Sequence, residues 1–366
     1  MKIALAHDYL IQMGGAERVV EVFHDMFPEA PIYTTVYNER GLPATLSAAD
    51  IRSTWLQRMP GVKGNFKRML PLYPLAIRDF DFREFDVVLS SSSAFMKSIQ
   101  VPKHTFHLCY CHTPMRFAWD YDSYIAREER PGVVKQALKV YMDRLKKWDE
   151  RTSGNVNQFI ANSSIVKERI KKYYNRQSDV IFPPVHTSRF HSTTNIGDYY
   201  LVVARLVSYK RIDLAVEAFN QSGLPLLIVG DGPDRKRLAE MAKPNVKLLG
   251  RLDDAEVTRM MAECRALIFP GEEDFGITPL EVNAAGRPVI AYQAGGALDT
   301  IVPDVNGVFF AKQEPEALMA AVQEAENYPW DVEQIIGHAR KFDEEAFKVH
   351  FRQYVERSYV NFLKGG

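Results

Sequence analysis

Short apolar runs of strand length alternate with amphipathic stretches of helix length along the whole chain, and this alternation most restricts the folds open to it. Strands buried on both faces read as continuous apolar segments, and parallel strands need long crossovers that are usually helical. The fold class is therefore α/β with wound parallel sheets. In the first half, strands are expected at KIALAH from Lys2, PIYTTVY from Pro31, DVVLSS from Asp86, HLCYCH from His107 and NQFIANS from Asn157. A long helix, roughly Val133 to Arg151, carries Val134, Leu138, Tyr141, Leu145 and Trp148 at helical spacing and reads as core packing. From Phe182 to Gly197 the pattern gives way to PPVHTSRFHSTTNIG, the composition of a linker. It resumes with YYLVVAR, LPLLIVG, NVKLLG, ALIFP and RPVIAY, each followed by a helical stretch. Two wound domains are expected, 1–184 and 185–342, then a terminal helix over 343–366. Its Phe347, Phe351, Tyr354, Val355, Tyr359 and Phe362 need a surface to cover, and that surface is expected to be the first domain.

With 366 residues, either half is long enough to bury a core of its own. Forty-six basic side chains balance forty-six acidic ones, so no global field draws the chain to nucleic acid, and any anion site must be local. Cys109, Cys111 and Cys264 are too few for a disulfide framework and suit a reducing compartment, so a cytoplasmic location is expected. Met1-Lys2 leads into only four apolar or small residues before His7-Asp8, which reads as a buried strand and not as a signal-peptide core. No window approaches the ~18 apolar residues of a membrane span.

Three stretches carry chemistry. In His7-Asp8-Tyr9-Leu10-Ile11-Gln12-Met13-Gly14-Gly15-Ala16-Glu17 a loop leaves a strand and enters a helix through two glycines, where unpaired amides favour an anion; a tight turn without ligand reads as well. In VVARLVSYKRID, Arg205 ends a strand and Lys210-Arg211 starts the next helix, at the strand ends that line the ligand crevice of wound sheets. Two cations there suit a diphosphate, against the alternative of two solvated side chains. In FPGEEDFGITPLEVNAAGRPVIA, Glu273 stands in a loop and Glu281 eight positions later in a helix that begins about Gly276. Paired carboxylates accept hydroxyl hydrogen bonds, and the amides of Gly276, Ile277 and Thr278 open the helix toward a sugar or phosphate oxygen. Glu272 and Asp274 flank Glu273, so spacing alone selects it.

Cys109-x-Cys111-His112 places two thiols on one strand face, but a closed zinc site wants four ligands and no second pair of suitable spacing follows, so no metal is assigned. Between Trp55 and Phe82, Arg58, Lys63, Lys67, Arg68 and Arg78 interleave with Trp55, Met59, Phe66, Met69, Leu70, Leu72, Tyr73 and Leu75. Such a mixture suits an anionic membrane surface if the apolar chains are exposed, and an ordinary loop and helix if they pack inward.

The combination of Gly-Gly-x-Glu from Gly14, Arg-x4-Lys at Arg205 and Lys210, Gly-Asp-Gly at Gly230 to Gly232, and Glu-x7-Glu running into Ala-Ala-Gly-Arg-Pro-Val resembles the family 4 glycosyltransferases over nearly the whole chain. The resemblance implies a retaining GT-B enzyme, two Rossmann-like domains facing a cleft, with the acceptor on the first and the nucleotide sugar on the second. It implies that Arg205 and Lys210 bind the donor diphosphate and replace a metal there, that Glu281 takes the ribose hydroxyls, that Glu273 contacts the sugar, and that His112 sits beside the transferred sugar. The implied donor-binding set is Gly14, Gly15, Arg205, Lys210, Gly230, Arg251, Leu252, Phe275, Gly276, Ile277, Thr278 and Glu281. No cofactor is implied beyond the co-substrate. Similarity to bacterial mannosyltransferases of surface polysaccharide assembly implies GDP-mannose as donor, a saccharide or lipid-linked acceptor, and a peripheral place on the inner membrane. Two other readings share the fold: a nucleotide-sugar 2-epimerase, which would convert the donor with no acceptor present, and a non-catalytic sugar-nucleotide-binding protein.

Overall fold

The computed structural model describes residues 1–121 and 132–365 and, within these, all side chains but those at 67, 132, 133 and 135. The chain divides into two compact units, Met1–Pro184 joined by Phe347–Gly366, and Val185–Ala346.

The first unit is a seven-stranded sheet in the order β3-β2-β1-β4-β5-β6-β7. Its strands are β1 Ile3–His7, β2 Ile32–Thr34, β3 Ile51–Ser53, β4 Val87–Ser92, β5 Phe106–Cys111, β6 Gln158–Ala161 and β7 Ser178–Val180, and all adjacent pairs are parallel. The central strands β4 and β5 are buried at every position, as expected of strands covered on both faces. One face is closed by the helix Gly15–Met26 and by the terminal helix Glu344–Gly365. There Phe351 stacks on Phe23 at 4.7 Å and on Phe347 at 5.1 Å, and meets Tyr110 of β5 at 5.8 Å. The other face is closed by the segment 55–82 and by the helix Gly132–Thr152, which contributes Met142 and Leu145 to the core and packs Leu138, Tyr141 and Trp148 against it. Val134, placed by its spacing in that apolar stripe, is instead exposed near the start of the helix, beyond the reach of the core.

The second unit is a six-stranded parallel sheet in the order β10-β9-β8-β11-β12-β13. The strands are β8 Tyr200–Val203, β9 Leu226–Val229, β10 Val246–Gly250, β11 Leu267–Phe269, β12 Val289–Tyr292 and β13 Gly307–Phe310. The stretch 182–197 is not a loose linker. The Val185 amide donates to Phe342 O at 2.9 Å, the Glu344 amide donates to Val185 O at 3.1 Å, and Phe190 is buried in the core. Both sheets are wound from an inner strand outward in two directions, β1 toward β2 and β4, β8 toward β9 and β11. Each therefore has a switch point, where loops leaving adjacent strands diverge and leave a crevice at the carboxyl ends.

Segment 55–82 folds inward. Leu56, Val62, Tyr73, Ala76, Ile77 and Phe82 are buried, and Met59, Met69, Leu70 and Leu72 pack partly buried against the same core. Of the apolar side chains that interleave with cations in the sequence, Trp55 and Leu75 stay exposed, beside exposed Arg58, Lys63, Arg68 and Arg78. The Lys67 side chain lies outside the described residues.

Candidate active site

In the second unit, the switch point between β8 and β11 brings together the two sequence motifs of this half. The chain leaves β8 at Val203, so Arg205 lies two residues past the strand and not at its end, exposed and with no ion pair among the described residues. Lys210 closes a 3-10 turn, Ser208–Lys210, and the helix Ile212–Ser222 starts only after Arg211, which takes the left-handed conformation at φ 51°. Lys210 Nζ meets Glu273 Oε1 at 2.6 Å, with both side chains mostly buried. Of the three consecutive acids, Glu273 is thus the one that crosses the switch point to Lys210. An ammonium has three donors, and this pair occupies one of them. Arg211 plays a different part: its guanidinium donates to Gln313 Oε1 at 2.8 Å, and Gln313 donates in turn to Pro270 O at 2.9 Å, tying the two loops together.

Close backbone approach explains the glycines here. A Cβ on Gly230 would fall 1.9 Å from Ala204 O and one on Gly232 would fall 2.2 Å from Leu206 O, so Gly-Asp-Gly lets the loop after β9 ride directly on the loop that carries Arg205. On the other flank, a Cβ on Gly271 would lie 2.6 Å from Lys210 Cα, and one on Gly296 would lie 2.2 Å from Phe275 Cα. The Gly296 amide donates to Glu273 O at 2.8 Å. The Glu273 loop is therefore clamped between Lys210 and the turn after β12. Gly276 ends this loop at φ 88° and caps the helix Ile277–Ala284, whose first turn contains Ile277 and Thr278 and whose fifth residue is half-buried Glu281. Phe275 is buried, Leu252 packs partly buried on the core, and Arg251 is exposed just past β10. Gly295, Gly296 and Gln313 lie outside the motifs read above, although Gly295-Gly296, two residues past RPVIAY, is the signal that could have found the turn.

In the first unit the switch point lies between β1 and β4, and polar side chains fill it. Asp8 is buried, and its carboxylate accepts from the amides of Ser93, Ala94, Phe95 and Met96 at 2.6, 2.9, 2.7 and 2.8 Å. This nest fixes the exit of β1 to the turn after β4. Gly14 caps the helix Gly15–Met26, and its amide donates to Glu17 Oε2 at 3.0 Å. Burial pushes the Glu17 carboxyl above its usual range, with nearby His7 opposing the rise. His112 follows β5 and is nearly buried; desolvation, aided by repulsion from His7, pushes its pKa down to about 3, so it is a neutral imidazole near pH 7. Its Nε2 lies 2.7 Å from Ser91 Oγ. Gly15 is exposed at the start of its helix. Ser91 is absent from any motif reading, although four consecutive serines running out of a buried strand are a polar signal in an apolar place. Cys109 and Cys111 lie in the apolar cluster around Phe159, where burial raises both thiols, Cys109 to about 12. Among the described residues no group of three or more His, Cys, Asp or Glu side chains is placed to hold a metal ion.

Comparison with known proteins joins the two halves. The model described as Glycosyltransferase Family 4 matches residues 13–189, and that of Glycosyl transferases group 1 matches residues 194–348. The chain belongs to glycosyltransferase family 4. Among relatives of this glycosyltransferase, the α-1,3/1,6-mannosyltransferase ALG2 of Mus musculus is 26% identical, with 94% of each chain covered. The O-antigen chain mannosyltransferase C of Escherichia coli is 28% identical over 62% of this chain and 64% of its own. Among solved structures, Anabaena HepE in complex with UDP-glucose superposes with a TM-score of 0.72 at 15% identity, covering 98% of this chain and 100% of that one, a likeness of fold. The glycosyltransferase is thus a transferase with two Rossmann-like units, and its relatives speak against the epimerase and non-catalytic readings. Among the described residues no helix is long and apolar enough to cross a membrane.

Proposed function

We propose that this glycosyltransferase moves mannose from GDP-mannose, with retention of configuration and without a metal ion, to a saccharide or lipid-linked acceptor. The observation that carries the reading is the pairing of Lys210 with Glu273 across the β8/β11 switch point, next to unpaired Arg205. Arg205 and the remaining donors of Lys210 bind the diphosphate and stabilise the negative charge that grows on it as the glycosidic bond breaks. Glu273, held by its clamped backbone, accepts from sugar hydroxyls and keeps Lys210 oriented; Glu281 accepts from the ribose hydroxyls. The amides at Gly276, Ile277 and Thr278 take a sugar or phosphate oxygen. With the leaving group and sugar so fixed, most of the rate comes from positioning and electrostatic preorganisation. The first unit binds the acceptor, and His112 is its contribution beside the transferred sugar.

Mannose is favoured by relatives named as mannosyltransferases. The acceptor reading includes peripheral contact with an anionic membrane through exposed Trp55 and Leu75 and the cations Arg58, Lys63 and Arg68. The test is incubation of the purified protein with labelled GDP-mannose and lipid-linked acceptors extracted from bacterial membranes. Transfer of an α-mannosyl group in excess EDTA supports the reading. Transfer from UDP-glucose alone, or a product of inverted configuration, refutes the donor or the stereochemistry respectively.

A further inference from the structure

The chain of contacts His7, Ser91 and His112 determines where its protons lie. His7 Nδ1 is 2.9 Å from Ser91 O and 3.2 Å from Ser91 Oγ. A carbonyl oxygen only accepts, so His7 Nδ1 carries the hydrogen and donates it. Ser91 Oγ then has a donor on its His7 side and His112 Nε2 on the other, 2.7 Å away. If His112 Nε2 held a hydrogen, the Ser91 hydroxyl proton would have no acceptor in reach, in a place where His7, Ser91 and His112 are all buried. The arrangement that satisfies every group has the Ser91 hydroxyl donating to an unprotonated His112 Nε2. The hydrogen of the neutral ring then sits on Nδ1, which has no hydrogen-bond partner among the described residues. Tyr110 holds the ring edge-on at 5.3 Å, and the Tyr110 hydroxyl is itself fixed to Ile181 O at 2.9 Å.

We infer that Ser91, backed by His7, is a positioning residue that locks His112 in the Nδ1–H tautomer, so that the imidazole presents a hydrogen-bond donor to an oxygen of the sugar nucleotide, a sugar hydroxyl or phosphate oxygen. The tautomer rests on the contacts alone; the ligand half rests on the proposed place of His112 beside the transferred sugar. The fold supplies the relay through strand register: His7 is the register partner of Ser91 across β1 and β4, and Ser91 is that of Tyr110 across β4 and β5, two residues before His112.

The test is histidine ¹⁵N NMR on the full chain, with the His112 signals assigned by their loss in His112→Gln. In the wild type, Nδ1 is expected to give a protonated and Nε2 an unprotonated signal near pH 7. Ser91→Ala is expected to turn this into a tautomer mixture and to lower kcat/KM for transfer roughly tenfold, the worth of about one net hydrogen bond. Ser91→Thr, which keeps the hydroxyl, is expected to restore both. A wild-type spectrum with Nε2 protonated overturns the tautomer assignment without touching the transferase reading. The expected tautomer together with unchanged kcat/KM in a folded His112→Gln protein overturns the ligand half and the placing of His112 beside the sugar.

Discussion

Lys210 and Glu273 neutralise one another, which leaves Arg205 as the exposed cation of the pair proposed for the diphosphate. Arg205→Ala is expected to cost about 10²–10³ in kcat/KM, the usual scale for losing one preorganised donor to a developing charge. Lys210→Ala is expected to cost at least as much, because it also leaves Glu273 without its partner; steady-state kinetics on folded variants checks both, and unaltered kinetics in either removes that cation from the site. The two carboxylates should separate by phenotype. Glu281→Gln is expected to weaken binding of the free nucleotide, whereas Glu273→Gln spares it and slows transfer, which calorimetry with GDP followed by a transfer assay distinguishes. Reversed phenotypes would exchange the two roles. Their stretches were legible as spaced charges that follow buried strands, Arg205 and Lys210 past β8, and Glu273 and Glu281 in the glycine- and proline-punctuated run past β11. The Ser91 relay was not, since it joins residues 84 and 21 positions apart that only sheet register brings together.

At the scale of elements, the inner strands were legible as apolar runs, and β3, β7 and β13 were not. All three are edge strands. β3 and β7 are three residues each, Ile-Arg-Ser and Ser-Asp-Val, too short and polar to stand out from a loop, because an edge strand covers only one flank of the sheet. The terminal helix was legible as an aromatic stripe, whereas the identity of its partners, Phe23 and Tyr110, is a tertiary fact. Phe351 is fully buried among three aromatic rings, so Phe351→Ala is expected to destabilise the first unit by about 3–5 kcal/mol in denaturant unfolding. A loss below about 1 kcal/mol would mean that the helix is not part of that core.

For the molecule as a whole, buried histidines set the acid limit of stability: burial lowers the folded pKa of His107, His112 and His338 alike. The folded pKa of His107 is lowered to about 4 and that of His112 to about 3, in both cases chiefly by desolvation, against 6.5 for an ordinary histidine. The unfolded chain therefore binds more protons through this window. Stability is present in full above pH 6.5 and is lost as pH falls toward the folded values, at about 1.4 kcal/mol per pH unit per histidine. Glu17, raised by burial, acts in the opposite sense above its ordinary 4.5. Urea unfolding between pH 7 and 5 is expected to show this decline, and His107→Gln with His112→Gln should flatten it; an equally steep decline in the double variant would place its cause elsewhere. The central claim, that the second unit binds a sugar nucleotide through Arg205, Lys210 and Glu281, is tested most directly by isothermal titration calorimetry. GDP-mannose should bind the wild type and lose affinity in Arg205→Ala, Lys210→Ala and Glu281→Gln. No binding of any nucleotide sugar, or equal affinity in the wild type and all three folded variants, would contradict it.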